Sequence, residues 1–77
     1  MAKAPRTKAL ATLGLNIRKR REALKLTQEK VAERATLDPT YISGIERGVR
    51  NPSIISVVKV ALALRTTVAE LSSRIER

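Results

Sequence analysis

Residues 27–51 read TQEKVAERATLDPTYISGIERGVRN, and this stretch decides the fold. Its apolar residues recur at the three- and four-residue spacing of helices, with a break between two short patterns. Thr27 is a good N-cap for the first pattern, because its hydroxyl can accept a hydrogen bond from a free backbone N–H. Asp38 followed by Pro39 is a strong start for the second, because proline at the first helical position loses no hydrogen bond. The stretch therefore predicts two short helices joined by a tight turn.

The spacing of small and apolar residues predicts how these two helices meet. When Gln28 is counted as the first position, the small Ala32 is the fifth. Ile42 and Ile45 are then the fifteenth and the eighteenth. The small residue lets the helices cross closely, the two isoleucines anchor the second helix to the core, and Gly48 is expected to end it in a left-handed conformation. This arrangement is a helix-turn-helix motif.

The face of the second helix that the two isoleucines leave free is polar, and it carries Thr40, Tyr41, Ser43, Gly44 and Arg47. Short hydrogen-bonding groups, a phenol and a guanidinium suit the base edges of a DNA major groove. The alternative for Tyr41 is that its ring packs on the protein instead.

The rest of the chain shows helical periodicity and no sustained alternation of the kind that strands have. Three further helices are expected at about Leu10–Leu24, from the Asn51-Pro52-Ser53 turn to Leu64, and at Val68–Ile75. We therefore predict an all-α fold, a compact five-helix domain over residues 9–77. A flexible basic arm is expected at residues 1–8.

The fourth predicted helix is apolar nearly all round, since only Ser56 and Lys59 are polar between Ile54 and Leu64. Such a helix must be buried nearly all round, which a monomer of this size can hardly achieve. This helix and the fifth are therefore expected to meet a second subunit in a homodimer, the alternative being a central core helix. The predicted dimer contacts are Ile55, Leu62, Val68, Leu71 and Ile75.

The charge balance indicates a polyanionic partner. Sixteen lysines and arginines face seven acids, which gives a formal net charge of +9. Nucleic acid is favoured over a membrane surface, because the basic residues do not lie opposite bulky aromatic anchors and no apolar run reaches the length of a membrane span. Arg18, Lys19 and Arg20 are either phosphate contacts or a solvated face.

The composition argues against catalysis. The chain has no Cys and no His, and it lacks a phosphate-cradling glycine loop and an evident carboxylate pair. We therefore expect no enzymatic activity, no cofactor, no metal and no small-molecule effector. The expected location is the cytoplasm of a prokaryote or its phage, in association with the nucleoid.

Three runs resemble the phage-repressor (Xre/Cro) helix-turn-helix family, namely TQEKVA at 27–32, YISGIERG at 41–48 and RNPS at 50–53. The run over 41–51 is particularly similar to controller proteins of restriction–modification systems. The resemblance implies a lambda-repressor-like domain with its helix-turn-helix at helices 2 and 3. It further implies a transcriptional regulator that binds a pseudo-palindromic operator in double-stranded DNA as a homodimer. The alternative is a protein-interaction adaptor or antitoxin with the same fold.

The resemblance also implies roles for matched residues. The implied DNA-binding residues are Gln28, Thr40, Tyr41, Ser43, Arg47, Arg50 and Asn51, with Gln28 on a phosphate and the others on bases or backbone. Arg21 and Glu46 would form a partly buried ion pair with a structural role.

The chain departs from the family at three positions. Lys25 and Thr36 stand where the family often has glycine. Glycine is common where the backbone needs a positive φ angle, and a positive φ at either residue would cost about 1 kcal/mol. Pro39 stands where controller proteins often carry a base-reading arginine, so the resemblance does not imply that this chain binds their operator sequence.

Overall fold

The computed structural model describes residues 7–76, whose regular structure is entirely helical. The helices are α1 (Lys8–Ala23), α2 (Gln28–Ala35), α3 (Pro39–Glu46), α4 (Ile54–Ala63) and α5 (Val68–Leu71). The predicted five-helix, all-α architecture with a helix-turn-helix at α2 and α3 is confirmed. Within residues 7–76, every helix is too short or too polar to cross a lipid bilayer.

Each helix begins after a residue whose side-chain oxygen accepts a hydrogen bond from a first-turn N–H; these N-caps are Thr7, Thr27, Asp38, Ser53 and Thr67. Thr7 accepts from the amide of Leu10, so α1 begins at Lys8 and the predicted arm is two residues too long. Residues 1–6, the rest of that arm, lie outside the described residues. The cap of α4 is Ser53, and the preceding Asn51 and Pro52 stay outside the helix.

The core lies where α2 meets α3 and α4, and α1 packs against α3 and α5. It is formed by Leu13, Ile17, Val31, Ala32, Ala35, Ile42, Ile45, Val57, Val60, Ala61, Ala63, Leu64 and Leu71. Ala32, Ile42 and Ile45 are all buried, as the helix-turn-helix spacing predicts. The second helix of the motif is thereby fixed to the core along one side, which leaves its other side for a ligand.

The last helix is shorter than the predicted Val68–Ile75. Asn16 of α1 donates from Nδ2 to the carbonyl oxygens of Leu71 (2.9 Å) and Ser73 (2.8 Å), which takes both acceptors away from helix propagation. Arg74 then adopts a left-handed backbone (φ 68°), and residues 72–76 form turns.

Two basic residues of the surface helices bind the end of α4. Arg20 donates from Nε to the carbonyl of Leu64 and from Nη2 to that of Arg65, both at 2.9 Å. Arg34 lies 3.4 Å from the carbonyl of Ala63. Guanidinium groups stabilise the free carbonyls at a helix C-terminus. Arg20 therefore stabilises the fold, whereas the sequence predicted either a phosphate contact or a solvated side chain.

The two positions where relatives often have glycine do adopt the left-handed conformation. The φ angles of Lys25 and Thr36 are 59° and 57°, and Gly48 after α3 has φ 73° as predicted. A β-branched residue is strained in this region, because its Cβ crowds the following carbonyl. Thr36 therefore stores strain at the C-cap of α2, inside the helix-turn-helix.

Thr36→Gly is expected to stabilise the protein. Relief of the left-handed strain outweighs the added flexibility of the unfolded chain, for a net gain of about 0.5–1 kcal/mol, or several degrees in Tm. Thermal unfolding followed by circular dichroism measures the change. Thr12→Gly, the same substitution inside α1, is the matched control and should lower Tm; a fall in both variants would contradict the assignment of strain to Thr36.

Candidate DNA-binding surface

A contiguous polar surface covers the free side of α3 and the loop that follows it. We define the recognition surface as Thr40, Tyr41, Ser43, Arg47, Arg50 and Asn51. Thr40, Arg47, Arg50 and Asn51 are exposed, and Ser43 is half-buried. The Nε of Arg47 lies 3.4 Å from Ser43 Oγ, one helical turn away. The structure thus brings together six of the seven residues implied as DNA contacts, and the seventh, Gln28, lies beside the C-terminal end of α3.

The side chain of Tyr41 joins this surface to α4. Its hydroxyl donates a hydrogen bond to Ser56 Oγ (3.2 Å), which also accepts one from the Ser53 hydroxyl (3.0 Å). The guanidinium carbon of Arg50 lies 5.1 Å from the centre of the Tyr41 ring, within the range of a cation–π contact. The ring therefore packs on the protein and supports Arg50, as the alternative interpretation of Tyr41 proposed. A DNA contact by Tyr41 itself stays a prediction.

A buried glycine beneath the recognition surface makes room for Arg50. A Cβ built on Gly44 of α3 would collide with Cγ of Arg50 and lie 3.4 Å from its Cβ. The stem of Arg50 therefore lies directly on the backbone of α3. A second helical glycine, Gly14 of α1, has a different neighbour: its Cβ would lie 2.5 Å from the carbonyl oxygen of Glu46 and 2.8 Å from the carbonyl carbon.

Gly44→Ala is expected to weaken DNA binding and to cost less stability than a clash with backbone, because the added methyl group meets the side-chain stem of Arg50 and forces that arginine out of its position. Loss of a well-placed arginine contact corresponds to a roughly tenfold or greater fall in operator affinity. Gly14→Ala is the matched control, since its methyl group meets backbone and costs about 1–3 kcal/mol of unfolding free energy. Fluorescence anisotropy and thermal unfolding of both variants check this; equal stability losses would contradict it.

Behind the recognition surface, Arg21 of α1 and Glu46 of α3 form a nearly buried ion pair. The Nε and Nη2 atoms of Arg21 donate to the two carboxylate oxygens of Glu46 at 2.6 and 3.0 Å, a bidentate geometry. The side chains are only 13% and 4% exposed. Arg21 also donates from Nη1 to the carbonyl of Leu26, so the pair ties α1, the following turn and α3 together. The hydrogen bond to Glu46 raises the pKa of the Arg21 guanidinium, which therefore stays charged.

Gln28, the first residue of α2, also binds this pair. Its Nε2 donates to Oε1 of Glu46 at 3.0 Å. The sequence predicted a phosphate contact for Gln28 and did not predict this intramolecular partner. A glutamine carboxamide carries two N–H donors, so the second remains available.

The predicted dimer contacts fall into two groups. Ile55 and Leu62 of α4 are 62% and 72% exposed. With Ile54 and Val58 they form one exposed row that we call the α4 apolar stripe. Val68 and Ile75 are half-buried against the core. Leu71 was predicted wrongly as a dimer contact: it is 2% exposed, because α5 packs on α1 and α4 with this side chain in the core.

The sequence did not predict the supporting roles of Gly14, Gly44, Ser56 and Arg20. Gly44 was expected on the free face of the second helix, but it is buried beneath Arg50. The two glycines carried a signal, because an isolated glycine inside a helix usually has a packing reason. The hydrogen bonds of Ser56 and Arg20 join distant parts of the chain, and no local pattern indicates them.

Comparison with known proteins agrees with this geometry. A helix-turn-helix family model matches residues 17–71. The control protein C.MunI of a Mycoplasma species is 43% identical over 58 residues, which are 75% of this chain and 78% of the relative. The restriction–modification controller C.AhdI of Aeromonas hydrophila superposes with a TM-score of 0.83 at 38% identity, covering 84% of this chain and 98% of the other.

A third comparison involves DNA. The controller C.Esp1396I, solved as a tetramer in complex with its natural 35 base-pair operator, superposes with a TM-score of 0.76 at 38% identity, covering 79% of this chain and 80% of the other. The resemblance noted from the sequence is thereby confirmed. The chain belongs to the Xre-like helix-turn-helix family and is similar to the controller proteins of restriction–modification systems.

Proposed function

We propose that this protein is a transcriptional regulator that binds a pseudo-palindromic operator in double-stranded DNA as a homodimer. The observation that carries the proposal is the free side of α3, where hydrogen-bonding groups and two exposed arginines lie together on a helix held by its opposite face. Such a helix fits the major groove and presents its side chains to base edges.

Within this proposal, Thr40, Ser43 and Arg47 read bases and nearby backbone. Arg50, supported by the Tyr41 ring, reaches a base or a phosphate, and Asn51 does so from the loop. Gln28 contacts a phosphate at the N-terminus of α2, where free backbone amides add to the attraction. The likeness to an operator-bound controller supports this docking mode.

The α4 apolar stripe supports the homodimer. Four large aliphatic side chains in one exposed row are unusual for a protomer that acts alone, and covering the apolar area that they still expose contributes about 25 cal/mol per Å². Two recognition helices that enter successive major grooves lie about 34 Å apart, one turn of DNA, and the two-fold axis of the proposed homodimer must meet this spacing. Half-buried Val68 and Ile75 would flank that interface, whereas Leu71 would not.

The finer assignment that we propose is a controller of a restriction–modification system, acting on DNA in the cytoplasm of a prokaryote or its phage. Regulation by such a protein needs no catalysis, because occupancy of the operator alone alters access to a promoter. The similarity to C.MunI and C.AhdI supports this assignment.

Titration against the DNA upstream of the protein's own gene and against random duplex, at several salt concentrations, tests the proposal. We expect upstream DNA to bind about a thousandfold more tightly than random duplex. Equal and steeply salt-dependent affinities would indicate non-specific coating and contradict operator recognition. Absence of binding to both would favour the adaptor, whose partner binding should survive Arg47→Ala and Arg50→Ala.

A further inference from the structure

The carboxylate of Glu46 connects the ion pair to a residue at the proposed DNA interface. It accepts three hydrogen bonds, two from Arg21 and one from Gln28, and its side chain is 4% exposed. Arg21 comes from α1 and Gln28 from the first position of α2, so three helices converge on one acidic group. A carboxylate has about four acceptor sites, and Gln28 fills one of those that the two bonds from Arg21 leave open.

The hydrogen bond to Glu46 restricts the carboxamide of Gln28. One Nε2–H points at Glu46 Oε1, which restricts the orientations of the amide and of its second N–H. A free glutamine side chain samples many rotamers, and ordering it on binding lowers affinity. A glutamine that is already ordered presents its remaining donor to a phosphate without that loss.

The charge of Glu46 would ordinarily oppose this role. A carboxylate beside a phosphate contact repels the DNA backbone, and the repulsion grows as water is excluded. Arg21 removes the difficulty, because its guanidinium binds both oxygens of Glu46 and balances the charge. The ion pair thus supplies a strong hydrogen-bond acceptor at this point without a net negative charge.

We infer that Glu46, neutralised by Arg21, is a positioning residue that orients Gln28 for its phosphate contact. This assignment rests on the proposed function, since it presupposes that Gln28 meets DNA. It adds a role in DNA affinity to an ion pair that the sequence assigned to structure alone.

A double-mutant cycle tests the inference. The paired replacement Arg21→Met with Glu46→Leu removes the acceptor while leaving the net charge unchanged, and an apolar pair of similar volume commonly preserves the fold of a protein. It is combined with Gln28→Ala, and dissociation constants for operator and random duplex are measured below the unfolding transition of every variant. Val60→Ala, a core truncation in α4, replaces the ion-pair change in a control cycle.

Gln28→Ala should weaken binding to both duplexes by about tenfold per half-site, because a lost phosphate contact carries no sequence information. The paired replacement should weaken it several-fold alone and cause no further loss in the Gln28→Ala background. Independent, multiplying losses would overturn the inference, as would full affinity in the paired replacement. If the unmodified protein bound neither duplex, the proposed function itself would be wrong. If it bound DNA and the two changes weakened binding independently, only the positioning role of Glu46 would be wrong.

A measurement on the unmodified protein tests the positioning role even where a variant fails to fold. Gln28 is the only glutamine in the chain, beside two asparagines, so its carboxamide signal can be assigned directly by NMR. Before DNA is added, its ¹⁵N order parameter should approach about 0.85, the value of rigid backbone. A value below about 0.6 would mean that the side chain rotates freely, and the positioning role would be wrong.

Discussion

Glu46→Ala is expected to lower the unfolding free energy by about 3–5 kcal/mol, because it leaves the Arg21 guanidinium nearly buried without its counter-charge. It also removes the acceptor of Gln28 and the bond between α1 and α3. A domain of this size has a total stability of only some 5 kcal/mol, so the variant should retain about 2 kcal/mol or less and show a measurable unfolded fraction without denaturant. Urea denaturation followed by circular dichroism measures the loss.

Two matched variants separate this explanation from a general effect of losing a glutamate. Glu22→Ala removes another ion-paired glutamate, but both partners in its pair with Arg18 are more than half exposed, and the expected loss is below about 1 kcal/mol. Arg21→Met with Glu46→Leu removes both charges together and should recover most of the stability. Similar losses from Glu46→Ala and Glu22→Ala would show that burial of the pair is not what matters.

Leu62→Glu is expected to convert the homodimer into a folded monomer. Leu62 is 72% exposed in the protomer, so a charge there leaves the fold intact, but in a dimer it would be buried without a partner. Operator affinity should fall by at least about a hundredfold, because two half-sites are no longer bound together. Sedimentation velocity at micromolar concentration and operator titration measure the two effects.

The control for this prediction is Leu15→Glu, the same substitution at an exposed leucine of α1 that lies outside the α4 apolar stripe. It should leave the dimer unchanged. A wild-type protein that sediments as a monomer, alone and on operator DNA, would contradict the dimer, and dissociation by both variants would place the interface elsewhere.

The sequence predicted the features that local chemistry determines. Thr27 and Asp38 mark helix starts because each side chain accepts a hydrogen bond from an amide two or three residues ahead. This contact is local, so the residue type at the cap is enough to predict it. Ala32, Ile42 and Ile45 follow the spacing of a helix-turn-helix, and all three are buried. The Arg21–Glu46 ion pair was expected from the family resemblance alone.

The features that the sequence did not predict depend on distant parts of the chain. Asn16 binds carbonyls 55 and 57 residues away at the end of α5, so the predicted extension to Ile75 does not form. The sequence does not show that Arg20 binds the carbonyl of Leu64 at the end of α4, because the two residues are 44 positions apart. The contact of Gln28 with Glu46 joins the two helices of the motif across their turn, and neither residue alone indicates it.

Selection of bound duplexes from a random pool tests whether two copies of α3 read a symmetric DNA site. We expect enrichment of an inverted repeat whose half-sites have centres about one helical turn apart. We also expect Arg50→Ala to relax the preference at particular positions in each half-site. A pool that remains random after selection, or that yields a single unrepeated half-site, would contradict it.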